Sequence, residues 1–160
     1  MKRVLPLAAL VALLLPSVGT ANSRNAGDGT LSVVDGRGKF TINARGGVIG
    51  SFARGKVIIT DPIDSDGTGP IVSGDDWHRE KSDTTDIYGG TRVRFRLIGG
   101  TFKIQVIGRG VNLSVVGRGL VTLNGEGTLD DGTYSLNGAD YLPIFADPFT
   151  FALNASAGSP

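Results

Sequence analysis

Apolar and polar residues alternate along this chain in short runs: Leu31–Val34, Lys39–Ala44, Val48–Phe52, Lys56–Thr60, Val93–Ile98, Phe102–Ile107, Val111–Val116 and Leu120–Leu123. β-branched and aromatic residues fill the runs and glycine-rich pieces separate them, which predicts short half-buried strands. No helical period follows the first twenty residues. Two stretches repeat the pattern. Residues 38–61 and 100–125 align Gly38 with Gly100, Phe40 with Phe102, Ile42 with Ile104, Gly55 with Gly119 and Val57 with Val121. Recurrence of apolar positions together with turn glycines marks a supersecondary unit.

Turns placed at the glycines give a consistent register. A turn at Gly99-Gly100 sets Leu97 against Phe102, Phe95 against Ile104 and Val93 against Val106; a turn at Arg109-Gly110 sets Val106 against Leu113. In the first half Val33 falls opposite Phe40, Leu31 opposite Ile42 and Phe52 opposite Val57. A slip by one residue would expose each of these sets, so the reading is two four-stranded antiparallel meanders. The predicted fold is all-β: an antiparallel two-meander β-sandwich or flattened barrel with internal duplication. The rival is a parallel β-solenoid, suggested by the nine-residue spacing of Val93, Phe102, Val111 and Leu120. Segments 133–137 and 149–153 are expected to add edge strands. Residues 138–148 form a strap whose Tyr141, Leu142, Ile144 and Phe145 cap an open end of the core.

The beginning of the chain changes the picture of where the protein works. Lys2 and Arg3 precede an uncharged apolar run, Val4–Leu15, broken by Pro16 and followed by the small residues Gly19-Thr20-Ala21. This is the signal-peptide pattern, and the run is shorter than the roughly 20 residues of a membrane span. Cleavage is expected after Ala21, leaving a single domain over 22–160: repeat 1 at about 30–61, an acidic connection over 61–90, repeat 2 at about 91–125, and a C-terminal strap over 126–160. The chain has no cysteine, which excludes disulfides, a thiol nucleophile and thiolate metal sites. Of sixteen basic residues, loss of Lys2 and Arg3 leaves fourteen against fifteen acidic ones, a formal charge of about −1. Such a balance favours neither nucleic acid nor an anionic membrane as partner.

Charge is unevenly placed. Arg92, Arg94, Arg96 and Lys103 lie in a stretch with no acid before Glu126, whereas 61–86 is rich in Asp and Glu. The meander register puts Arg94 and Arg96 across from Gln105 and Lys103, so these cations form a candidate ligand-binding face. Asp61, Asp64 and Asp66 precede Gly67 and form a candidate Ca²⁺ site, since hard cations need several converging oxygens; the spacing is not that of an EF-hand. The one histidine, His78, lies beside Trp77 among acids and is the only side chain available as an imidazole base. No G-x-S-x-G elbow, phosphate loop or facing carboxylate pair occurs. The Gly-Arg-Gly triplets read as turns that present an arginine.

The expected function is an exported, non-catalytic β domain with a binding or structural role at the cell envelope or outside the cell. Its partner is an anionic envelope polymer or another envelope protein, met by Arg92, Arg94, Arg96 and Lys103. Two rivals stand: a small secreted hydrolase, metal-assisted, with its site in the 61–86 connection, and a structural assembly through edge-strand pairing. The cadence of Gly117–Leu123 resembles glycine-punctuated β repeats of bacterial surface and adhesin-type proteins, over the two repeats only.

Overall fold

The computed structural model describes residues 27–63 and 65–156; the predicted signal peptide lies outside them. The fold is all-β and every strand pairing is antiparallel. Seven strands appear: β1 (Gly29–Thr60), β2 (Gly67–Ser73), β3 (Trp77–Ser82), β4 (Thr85–Gly125), β5 (Thr133–Leu136), β6 (Leu142–Pro143) and β7 (Phe149–Leu153). β1 runs for 32 residues and β4 for 41. Straight, β1 alone would be roughly 100 Å long. Both instead bend repeatedly, and each pairs with the other on two sides. Ile42 partners Ile104 on one side and Val121 on the other, and Val48 partners Leu97 and Val115.

The bends divide the pairing into two ladders. In the first, the order is β7, 119–125, 38–45, 101–108, 55–60, 85–90, β3. In the second it is β6, β5, 29–34, 111–117, 46–51, 93–98, β2. Segments of β1 and β4 alternate through the middle of both. The two-meander pairing is therefore corrected: Leu97 meets Val48 rather than Phe102, Phe95 meets Gly50, and Val106 meets Phe40 and Val57. Antiparallel pairing throughout also sets aside the parallel solenoid. The hydrogen-bonded path ends at β2 and β6 without closing, so the fold is not a barrel.

The assignment of inward and outward sides does hold. Leu31, Phe40, Ile42, Phe52, Val57, Phe95, Phe102, Ile104, Val115 and Leu123 are all nearly inaccessible and belong to one apolar cluster. The bends that join the ladders stack glycine on glycine: Gly38 pairs with Gly108 and Gly125, Gly55 with Gly90 and Gly108, and Gly46 with Gly117. These are requirements of space as well as conformation. A Cβ on Gly38 would sit 2.1 Å from the Asn124 carbonyl oxygen, and its φ is 140°. Where the structure describes them, the two ends of the chain are tied together, for the Ala155 N–H donates to Gly27 O at 3.0 Å.

The strap closes one end as expected in part. Ile144 is buried and Leu142 packs on the core, but Tyr141 and Phe145 are exposed. The loop before it is pinned by Asp131. Burial of its carboxyl raises the pKa, yet hydrogen bonds donated by Thr128 Oγ1 and by the amides of Gly127 and Thr128, with the nearby Arg37 charge, bring it below the ordinary value.

Candidate functional site

Alternation leaves one side of the first ladder facing out, and the sequence fills it with cations. Along 37–45 the outward residues are Arg37, Lys39, Thr41, Asn43 and Arg45; along 101–109 they are Thr101, Lys103, Gln105, Ile107 and Arg109; along 54–60 they are Arg54, Lys56, Ile58 and Thr60. Arg118, Leu120, Thr122 and Asn124 continue it toward β7. No Asp or Glu stands on these positions.

Two identical tripeptides organise the centre. Arg37-Gly38-Lys39 and Arg54-Gly55-Lys56 flank Ile107-Gly108-Arg109, running antiparallel to it. Arg109 therefore lies between Arg37 and Arg54, and Ile107 between Lys39 and Lys56. With strands about 4.8 Å apart, Lys39 and Lys56 stand roughly 10 Å from each other. That is slightly beyond the screening length of about 8 Å in physiological salt, so the two cations repel each other little while one polyanion can meet both. The glycine row between them allows the strands to bend here and places the arginines on the rim.

Few of these charges are neutralised. Arg109 Nε lies 3.6 Å from Glu126 Oε2, and Arg118 Nε 3.0 Å from Asp28 Oδ1, where Asp28 is largely buried. Lys39, Arg45, Arg54, Lys56 and Lys103 form no ion pair among the described residues. An array of this kind can hold several anionic groups at once through charge-assisted hydrogen bonds, with arginine able to bind a phosphate or carboxylate by two parallel bonds.

The cations anticipated from sequence are split by the fold. Lys103 stands on this face. Arg94 and Arg96 face outward from the second ladder, beside Ser51 and Ser73, and Ile49 and Ile71, respectively. Arg92 is on neither face: it sits at a bend with φ 60°. The reason is the Gly99–Gly100 bend, which carries the chain from one ladder to the other instead of folding it back as a hairpin. Lys39, Arg45, Arg54 and Lys56 were not anticipated, although the repeated Arg-Gly-Lys was visible, and Arg37 and Arg109 were read only as turn residues of the Gly-Arg-Gly triplets.

Two of the three proposed Ca²⁺ ligands, Asp61 and Asp66, are described, and each bonds to a backbone amide. Asp61 Oδ1 accepts from the Ile63 amide at 3.4 Å, and Asp66 Oδ2 accepts from the Thr101 amide at 3.0 Å. Asp64 lies outside the described residues. Among those described, no three His, Asp or Glu side chains gather as a metal site.

His78 is on β3, which pairs with the start of β4. Its Nε2 meets Asp86 Oδ1 at 2.7 Å, and its ring stacks on Tyr88 with centroids 4.4 Å apart. Burial, then the charges of Asp86, Asp75 and Glu80, push the Tyr88 phenol above its ordinary pKa. Among the described residues no side-chain hydroxyl is hydrogen-bonded to His78 or Asp86. Trp77 lies over Gly89 on the outer side and is half exposed.

No protein-family model, curated protein or solved structure matches this chain. Among the described residues no helix is long and apolar enough to cross a membrane.

Proposed function

We propose that this chain is an exported, non-catalytic β domain that binds an anionic polymer at the cell envelope. The observation that carries the reading is the acid-free outward face of the first ladder, centred on the paired Arg-Gly-Lys rows. A phosphate- or carboxylate-bearing chain laid across four strand segments would meet Lys39, Lys56 and Lys103 with the rim arginines at its side. The stacked glycines and the apolar core fix the backbone positions that carry these side chains, which lowers the ordering cost of binding. The two ladders, sharing one core, are read as the facing layers of a sandwich built from a duplicated unit. The direct pairing of Ile42 with Ile104, which the repeat aligns, supports that reading. The leader pattern supports export.

Retention on phosphocellulose tests it. The triple substitution Lys39→Glu, Lys56→Glu and Lys103→Glu should abolish retention at physiological salt, because exposed charges act through a screened field. Arg94→Glu with Arg96→Glu, on the other ladder, should change it little. The reverse ranking would refute the assignment of the face.

Assembly through an edge is a second reading, favoured by β7. Of the terminal strands, β2 carries Pro70 and a register shift, β3 is charged and β6 is two residues long with Pro143. β7, Phe149–Leu153, has no charge and no proline, and so lacks the usual protection against pairing. Light scattering across a concentration series distinguishes a monomer from such an assembly.

A further inference from the structure

The core opens between β6 and β7. These are the terminal strands of the two ladders, and among the described residues no further strand pairs with either. The result is a cavity of about 640 Å³ lined by Tyr134, Leu142, Pro143, Phe145, Phe149 and Asp147, with Pro148 at its edge. Its size lies within the range of roughly 300–1,000 Å³ typical of small-molecule sites. The aromatic rings are contiguous: Tyr134 and Phe149 have centroids 5.3 Å apart, and Phe145 meets Phe149 edge-on at 6.5 Å.

Two features mark this cavity as more than an incompletely covered core. Tyr134 is only 2 % exposed as a residue and lines the cavity, and its hydroxyl, which has no hydrogen-bond partner among the described residues, is not sealed from solvent. A buried ring with its hydroxyl open to the cavity offers an apolar wall and a polar tip to an occupant. The single charged residue of the lining is Asp147, and among the described residues it forms no ion pair. Aromatic faces carry negative potential, and a carboxylate adds to it, so charge complementarity selects a cation with an apolar body.

We propose that this cavity binds a small organic ammonium ion, with the cationic nitrogen between the aromatic rings and Asp147 and the apolar part against Leu142 and Pro143. The site is on the opposite side of β7 from the polyanion face and does not depend on that reading. Tyr134 would offer its hydroxyl to a polar substituent on the ligand.

Amide chemical shifts of the full chain, titrated with benzyltrimethylammonium, test the proposal. Choline and 3,3-dimethylbutan-1-ol, alike in shape but not in charge, isolate the ionic part. Shifts confined to residues 133–149 and a preference of about tenfold for choline over the alcohol are expected from a desolvated cation–π contact. Asp147→Asn and Phe145→Ala, both at exposed positions, should each weaken binding by about fivefold without altering the free protein's spectrum elsewhere. Equal affinity for choline and the alcohol would overturn the proposal, as would an absence of shifts at 133–149 with benzyltrimethylammonium.

Discussion

The two ends of the molecule face the same structural problem and resolve it differently. At each, inward-pointing residues run out of strands to cover them. At the end formed by β2 and β3 the inward positions opposite Ile59 and Val57 are Asp86 and Tyr88, followed on β3 by Glu80 and His78. Polar groups there meet one another and water, and the opening needs no occupant. At the end formed by β6 and β7 the corresponding positions are aromatic, and water gains little by entering. Solvation closes the first end; the second is left as a cavity with chemical preferences.

The largest expected effect falls where both ends share a support, in the glycine bends. Gly46→Ala would bring a Cβ to 2.1 Å from the Val116 carbonyl oxygen at a φ of 149°. A loss above about 4 kcal/mol is expected, because backbone must move on both ladders. Denaturant unfolding should show both ends destabilised alike. Next comes a substitution that separates them. Tyr134→Ala removes a fully buried ring and should cost about 3–5 kcal/mol, whereas Tyr88→Ala, at a half-exposed site, should cost about 1 kcal/mol or less. Equal losses in urea would remove the distinction between a packed end and a solvated one.

A smaller effect sharpens the electrostatic side of the contrast. Both phenols are raised above the ordinary tyrosine pKa, Tyr134 by burial alone and Tyr88 by burial and then by Asp86, Asp75 and Glu80. For each, the folded state holds the neutral phenol more firmly than the unfolded state does. The stability this contributes is complete below pH about 10 and is lost as pH rises through the raised folded value. In 1 M salt, where screening acts over about 3 Å, the carboxylate share at Tyr88 should shrink and the Tyr134 value should stay. Ultraviolet titration with Tyr88→Phe and Tyr134→Phe as references assigns each step; salt moving Tyr134 more than Tyr88 would contradict the causes given.

The sequence made the inner side of each strand readable and the partner of each strand unreadable. Alternation places Ile104 inward whether it meets Phe95 through a hairpin or Ile42 and Ile59 across the molecule, because all these partners share its parity. The glycines looked like hairpin turns for the same reason; only their stacking, Gly38 on Gly108 and Gly55 on Gly108, distinguishes a bend between ladders from a reversal. The cationic face followed the same limit. A local run, Arg92 to Arg96, stood out in the sequence, while Lys39 and Lys56 are distant from each other in the chain and become neighbours of one isoleucine only through pairing. The Tyr134 cavity had a partial signal, since the strap was expected to cap an open end, but exposure of Phe145 depends on where the strap turns from β6 to β7.

The smallest prediction concerns how each end tolerates left-handed backbone. Toward the aromatic end the non-glycine residues at positive φ are Asp35 and Asn137, with φ of 50° and 51°. Short polar side chains visit this region at modest cost. Asn137 also uses its side chain, accepting from the Thr30 amide and donating to the Asn154 carbonyl, both at 2.9 Å. Toward the polar end the residue is Arg92, at 60°, whose long side chain makes no hydrogen bond or ion pair among the described residues to offset the strain. Arg92→Gly should therefore raise stability by about 1 kcal/mol or less, the relief of strain being partly offset by the freer unfolded chain. Asn137→Gly should lower it, since two hydrogen bonds are lost for little relief. Paired thermal melts would read both, and a lower midpoint for Arg92→Gly would mean that the guanidinium stabilises the polar end and that the left-handed bend is maintained by the side chain rather than in spite of it.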